Sequence, residues 1–551
     1  MFRLTNKLAV SNLIKNRKLY YPFALAVLLA VTVTYLFYSL TFNPKIAEIR
    51  GGTTIQATLG FGMFVVTLAS AIIVLYANSF VMKNRSKELG IYGMLGLEKR
   101  HLISMTFKEL VVFGILTVGA GIGIGALFDK LIFAFLLKLM KLKVELVATF
   151  QMNVVIAVLV VFGLIFRMKK NAVGLATIAI LSTMVLVTMS AATSIFNSAE
   201  SFKKVLNPHD FGVSGQNVEK EDLDKLLSQF ASDKGYSVKE KEVLRYSNFG
   251  IANQEGTKLT IFEKGQNRVQ PTTVFMVFDQ KDYENMTGQK LSLSGNEVGL
   301  FAKNDGLKGQ KALTLNDHQF SVKEEFNKDF IVNHVPNKFN ILTTDYNYLV
   351  VPDLQAFLDQ FPDSAIYNQF YGGMNVNVSE EEQLKVAEEY ENYLNQFNAQ
   401  LDTEGSYVYG SNLADASSQM SALFGGVFFI GIFLSIIFMV GTVLVIYYKQ
   451  ISEGYEERER FIILQKVGLD QKQIKQTINK QVLTVFFLPL LFAFIHLAFA
   501  YHMLSLILKV IGVLDTTMML IVTLSICAIF LIAYVLIFMI TSRSYRKIVQ
   551  M

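Results

Sequence analysis

Long apolar runs alternate with short charged segments at both ends of the chain, and a mostly polar stretch with strand-like alternation separates them. The apolar runs predict helices over about Leu19 to Phe42, Ile55 to Met82, Met105 to Leu127, Val154 to Phe166, Val173 to Phe196, Ser418 to Tyr448, Gln481 to Ala500 and Thr516 to Ile540. Most approach or exceed the roughly 20 residues needed to cross a bilayer as a helix. The expected fold class is a polytopic α-helical membrane protein with eight spans. Pro22 falls in the first turn of the first run, where a missing N–H is tolerated. Leu131 to Val147 is apolar but broken by Lys138, Lys141 and Lys143, and reads as an amphipathic segment on the outer surface. Gly119, Gly121, Gly123 and Gly125 in the third run allow close helix approach. Met1 to Lys18 mixes Leu and Ile with Lys and Arg, which suits a helix lying on the membrane surface or a plain basic flank of the first span.

The middle stretch predicts an inserted α+β domain over 197–416. TKLTIFEK, TTVFMVFD, HQFSVKEEF and NYLVVP carry strand patterns. Glu221 to Ser232 and Glu380 to Phe397 read as helices, the second opened by Ser379 as N-cap. The chain then divides into an N-terminal membrane region (1–196), this domain, and a C-terminal membrane region (417–551).

Charge sets the orientation. Of 51 basic and 45 acidic residues, about 20 basic and 33 acidic lie in the middle domain, leaving a strong basic excess beside the spans. Basic flanks mark cytoplasmic loops, so both termini are expected inside and the acidic domain outside. The lone cysteine, Cys527, excludes an intrachain disulfide. The first run lacks a small-residue cleavage site and reads as a retained span.

Two cytoplasmic loops, 83–104 and 449–480, repeat one pattern. Aligning Gly96 with Gly468 lays MLGLEKRHL over KVGLDQKQI. In both, charged residues (Arg85, Lys87, Glu88; Glu456, Glu457, Arg458, Arg460) precede a short apolar stretch. A Gly-Leu turn follows (Gly96-Leu97; Gly468-Leu469), then an acidic residue at a helix start. A charged loop on the inner face is ordinary by itself. Two with the same order and spacing point to a duplicated working part. Apolar faces between ion pairs suit docking into a partner's groove, with the charges fixing orientation.

Three stretches carry a family resemblance: SNLIKNRKLYYP (Ser11 to Pro22), RSKELGIYGMLGL (Arg85 to Leu97) and YYKQISEGYEERERFIILQKVGL (Tyr447 to Leu469). With them the chain resembles the FtsX-like permease superfamily, and within it the Bce-type permeases of Gram-positive bacteria, which act against antimicrobial peptides such as bacitracin. The resemblance implies an FtsX-like permease core in which the two loops contact ABC ATPase subunits, two per permease. It further implies a cell-membrane complex that frees peptide from lipid-linked cell-wall precursors and signals to a sensor histidine kinase. Members of that family have ten spans, whereas here RMKK (Arg167 to Lys170) joins the fourth and fifth runs directly.

No G-x-x-x-x-G-K-[ST] loop occurs, so the chain reads as a non-enzyme; ATP and magnesium would act through the partner. No catalytic or metal-ligating set is evident, no nucleic-acid partner is expected, and no residue marks a ligand site. His496 inside a span reads as a neutral side chain packed on a neighbouring helix, and Asp129 with Lys130 as a pair at a span end. Two other readings remain: a force-transmitting relative of the cell-division or lipoprotein-release permeases, and a membrane receptor without transport activity. The second leaves the paired loops without a purpose.

Overall fold

The computed structural model describes residues 11–48, 52–141, 174–262, 273–303, 306–337, 345–361, 367–401, 405–466 and 471–549. The N-terminal apolar runs form α1 (Arg17–Thr41), α2 (Gly52–Met94), α3 (Lys99–Leu139) and α4 (Gly174–Leu206). The middle region follows with β1 (Phe211–Gln216), α5 (Lys220–Asp233), β2 (Val238–Glu255), β3 (Lys258–Ile261), β4 (Thr273–Asp279) and α6 (Gln280–Thr287). It continues through β5 (Glu297–Ala302), β6 (Ala312–Leu315), β7 (His318–Glu325), β8 (Asp345–Val351), α7 (Leu354–Leu358) and β9 (Tyr367–Val376). It closes with α8 (Glu380–Lys385), α9 (Ala387–Asn398) and β10 (Tyr407–Asn412). The C-terminal runs form α10 (Leu413–Lys466), α11 (Gln471–Val510) and α12 (Thr516–Val549). Two compact units result: Met1–Asn197 with Ser421–Ile507 and Asp515–Met551, and Ser198–Met420 with Leu508–Leu514.

Among the described residues seven helices are long and apolar enough to cross a membrane. The expected span at Val154 to Phe166 lies outside the described residues, as do RMKK and Met1 to Val10. In the helical unit, α1 is enclosed by α2, α3 and α10 through Phe23, Val27, Val31, Ile73, Phe133 and Phe433. A second core joins α4, α10, α11 and α12 through Leu186, Val445, Leu490 and Tyr534. Only two of the four α3 glycines serve close approach. A Cβ on Gly121 would lie 2.9 Å from Val31, and one on Gly125 would lie 2.5 Å from the Tyr35 ring, while Gly119 and Gly123 face open space. The pair is four residues apart and so shares one helix face. Thr32 Oγ1 donates to Gly121 O at 2.9 Å across that contact.

The expected break near Leu127 does not occur. α3 continues to Leu139, because Phe133, Leu136 and Leu137 fall on its buried face while Lys130 and Lys138 fall on its exposed face. Asp129 lies on the buried face, not at a span end.

The second unit is built on β2. Val238 to Asn248 pairs with β9, Tyr246 to Ile251 with β4, and Ile251 to Glu255 with β3. The order β2-β3-β6-β7-β5-β8-β4 closes back on β2, forming a seven-stranded barrel filled by Phe249, Phe275, Leu300, Leu313 and Leu349. Beside it, β10-β1-β9-β2 forms a sheet covered by Leu223, Leu227 and Phe230 of α5 and by Tyr390 and Leu394 of α9. The free edge at β10 is blocked, since the Asn398 amide accepts from Val408 N (2.7 Å) and donates to Val408 O (2.8 Å). The helix expected over Glu380 to Phe397 breaks at Val386 into α8 and α9. Ser379 caps its start, accepting from Glu382 N at 3.3 Å.

Candidate functional site

Both repeated loops begin as continuations of long helices. α2 runs on past its candidate span through residues 79–94, and α10 past its own through 451–466. Met94 ends α2 and Lys99 begins α3. In the second loop the described part of α10 reaches Lys466 and that of α11 starts at Gln471, and 467–470 lie outside the described residues.

The first break is a Schellman closure. Gly96 N–H donates to Gly93 O (3.2 Å) and Leu97 N–H to Tyr92 O (3.1 Å), with Gly96 at φ +94°. That left-handed conformation favours glycine. The tip carries Ile91, Met94 and Leu95, which are 51%, 82% and 75% exposed, and Ile103 and Phe107 are exposed beyond it. Charge borders this apolar tip: Glu98 pairs with Arg100 at 2.6 Å, both side chains exposed. Leu97 and Glu88 are half-buried.

Arg85 departs from its expected place. Expected as an exposed docking charge, it is 1% exposed. Its Nη1 donates to Tyr20 Oη of α1 at 2.9 Å and to Glu109 Oε2 of α3, and its Nε lies 3.4 Å from Glu88 Oε2. Tyr20 Oη donates to Glu109 Oε1 at 2.6 Å, and Asn16 Nδ2 reaches Glu88 at 3.1 Å. Rings seal one side: Phe113 stacks on Phe23 at 4.6 Å and lies 5.7 Å from Tyr20. The cause is helical geometry: 85 lies on the α2 face turned toward α1 and α3, where a guanidinium with several donors can serve a carboxylate and a phenol together. The sequence reading missed Tyr20, Glu109 and Asn16. Glu109 carried a signal, being the one acid near the start of an apolar run and so in need of a partner.

Glu456, Glu457, Arg458 and Arg460 lie on the helical backbone of α10. Their side chains, that of Lys87, and all of Gly468 and Leu469 lie outside the described residues. Tyr448, at the start of that loop, donates to Leu19 O at 3.1 Å, tying α10 to the base of α1. His496 Nδ1 lies 3.3 Å from Thr183 Oγ1, the helix-to-helix packing expected of it. Among the described residues no group of three His, Cys, Asp or Glu could hold a metal ion.

Residues 60–198 match the FtsX-like permease C-terminal family. The chain is 27% identical over 157 residues to the bacitracin export permease protein BceB of Bacillus subtilis, covering 28% of this chain and 24% of that protein. It is 30% identical over 141 residues to the uncharacterized ABC transporter permease YvcS of the same organism, covering 25% and 22%. Against the ABC transporter permease protein YxdM it is 21% identical over 599 positions, covering 90% and 93%. That alignment is longer than the 551-residue chain, so YxdM has stretches without a counterpart here. The match to the first two spans about a quarter of their length or less. The chain thus carries an FtsX-like permease domain, and it is homologous, at modest identity and partial coverage, to the Bacillus bacitracin export permeases and other ABC transporter permeases.

Proposed function

We propose that this chain is the permease subunit of an ATP-driven complex that protects a Gram-positive cell against cell-wall-targeting antimicrobial peptides. In this reading the complex frees peptide from lipid-linked precursors and reports it to a sensor histidine kinase. The two repeated loops face the cytoplasm, and each receives one ABC ATPase, which supplies ATP and magnesium chemistry. The β-rich unit faces outward.

The observation that carries the reading is the helix–break–helix element at Gly96, with its uncovered apolar tip beside charges, together with the repeat of its sequence 372 residues farther on, at Gly468. Contiguous exposed apolar residues rimmed by polar ones mark interaction sites. The Arg85–Glu109–Tyr20 cluster supports a route for force. A push on the tip bears on a helix whose root is bonded to α1 and α3 rather than hanging as a free loop. The test is purification of the chain with its ATPase and measurement of hydrolysis against a peptide panel. Copurification with peptide-stimulated hydrolysis is expected. Failure to retain any ATPase, with the chain folded, overturns the reading.

A further inference from the structure

Between β7 and β8, residues 326–337 form a strap without strand pairing. Phe330 packs on Phe278 and Tyr348, and Ile331 and Val335 enter the same core. Its end is fixed to the end of α4, where Asn337 N–H donates to Val205 O at 2.9 Å.

Two carboxyl-centred contacts fix its polar side. Asp329 Oδ2 accepts from Tyr348 (3.2 Å) and Tyr346 (3.4 Å) of β8. Lys303 Nζ donates to the Tyr346 hydroxyl at 3.0 Å and lies 4.2 Å from the centre of its ring. Asn337 Nδ2 donates to Tyr348 Oη at 2.8 Å. Farther along, His334 Nδ1 lies 3.2 and 3.0 Å from the two Glu242 oxygens on β2. Glu242 also meets His209 Nε2 at 3.1 Å, and His209 Nδ1 is 3.0 Å from Tyr371 Oη on β9. Glu240 of the same strand adds a second negative charge toward His334 and accepts from Asn375 at 3.0 Å. An ionised carboxylate only accepts, so both histidine nitrogens facing Glu242 carry protons.

We propose that this strap is an acid-tightened latch: protonation of His334 strengthens its hold on Glu242 of β2, and with it the anchoring of the end of α4. The directions of titration agree. The hydrogen bond to Glu242 holds His334 above the ordinary histidine value against its burial, with the charges of Glu242 and Glu240 adding to the rise. Burial raises Asp329, against hydrogen bonds from Tyr348, Ile331 N–H and Tyr346 and the charge of Lys303. Burial would raise Glu242, but hydrogen bonds from His209 and His334, with their charges, bring it below the ordinary value. A group whose pKa is raised on folding binds more protons when folded, so its stabilisation falls as pH rises through the folded value. His334 therefore favours the latched state at lower pH. The depressed Glu242 keeps its charge until the medium is more acidic still. The latch is therefore tighter below the histidine range than above it.

The experiment is amide hydrogen exchange on the full chain in lipid nanodiscs at about pH 5.5 and pH 8, corrected for intrinsic exchange, with the pH values chosen to bracket histidine titration. The amides of His334, Val335 and Asn337 should exchange several-fold more slowly at the lower pH, while β4 and β8 stay unchanged. His334→Gln should remove that contrast. Equal corrected exchange at both pH values in the native protein overturns the proposal. So does a His334→Gln variant that keeps the contrast.

Discussion

Removing Arg85 should cost more than removing Arg85 and Glu109 together. Each side chain is 1% exposed, and Arg85 supplies the only cationic partner that Glu109 has among the described contacts. At an effective dielectric of 20, two unit charges about 4 Å apart attract by roughly 4 kcal/mol, most of which offsets the cost of desolvating both. Breaking such a pair from one side strands a buried charge and costs about 3–5 kcal/mol, whereas replacing both partners with apolar groups of similar size is often near neutral. Arg85→Met should fall in the first range, and Arg85→Met with Glu109→Met should recover most of the loss. Arg85→Lys should be intermediate, since one ammonium cannot serve Tyr20, Glu109 and Glu88 as the guanidinium does. The chain has no tryptophan, so Tyr21→Trp, at an exposed position beside Tyr20, gives a single fluorescent reporter for unfolding in a denaturing detergent. The double variant carries a second readout. Its docking tip is intact, so it should still bind the ATPase, yet hydrolysis should respond less to peptide. A double variant as unstable as Arg85→Met, or a coupling energy below about 0.5 kcal/mol, would refute the buried-pair account.

Three further comparisons separate the tip from the core. Gly96→Ala should loosen the break by about 1–2 kcal/mol through backbone strain at φ +94°, since a Cβ there meets no atom within 4 Å. Gly93→Ala, in the helix just before, should be neutral or mildly stabilising; ATPase capture by the two variants measures the difference. Met94→Ser with Leu95→Ser should leave folding unchanged, because both are exposed, and should weaken ATPase binding by about tenfold or more, each lost anchor being worth upward of 1 kcal/mol. Gly125→Val should destabilise by about 1–3 kcal/mol through overlap with the Tyr35 ring, and Gly123→Val, which faces open space, should not; unfolding midpoints decide.

The membrane helices were readable because an apolar run reports burial residue by residue, without reference to a distant partner. The same reading failed where meaning depends on which face meets which neighbour. Arg85 sits in a basic flank and so reads as exposed; only the packing of α1 and α3 against α2 turns it inward. β2 escaped notice for a related reason. Its sequence VKEKEVLRYSNFGIANQE is polar at both ends, and it is a strand because β9, β4 and β3 each take a section of it. His209, Glu242 and His334 come from three separate parts of the chain, and no local spacing announces their meeting.

The repeated sequence does not repeat the residues of the buried pair. Carrying the 372-residue offset onto the cluster places Glu457 opposite Arg85, Arg460 opposite Glu88, and Gln481 opposite Glu109. The i,i+3 ion-pair positions are kept with their signs exchanged, while the acid that buries with Arg85 is replaced by a neutral amide. In the proposed complex two like ATPases would thus dock on levers of unlike sequence, the first of them locked to α1 and α3 by a buried charge pair. Opposite outcomes should follow from matched charge reversals. Arg85→Glu sets a second carboxylate against Glu109 in a site 1% exposed, and should prevent stable folding. For Glu457→Arg the position that corresponds to Glu109 holds a neutral amide, Gln481, and an i,i+3 pair with Arg460 would be worth about 0.2–0.5 kcal/mol. That variant should therefore fold normally and alter only ATPase docking. Equal loss of folded protein from the two reversals, measured by detergent-solubilised yield and unfolding midpoint, would show that the second lever has a buried charge partner of its own.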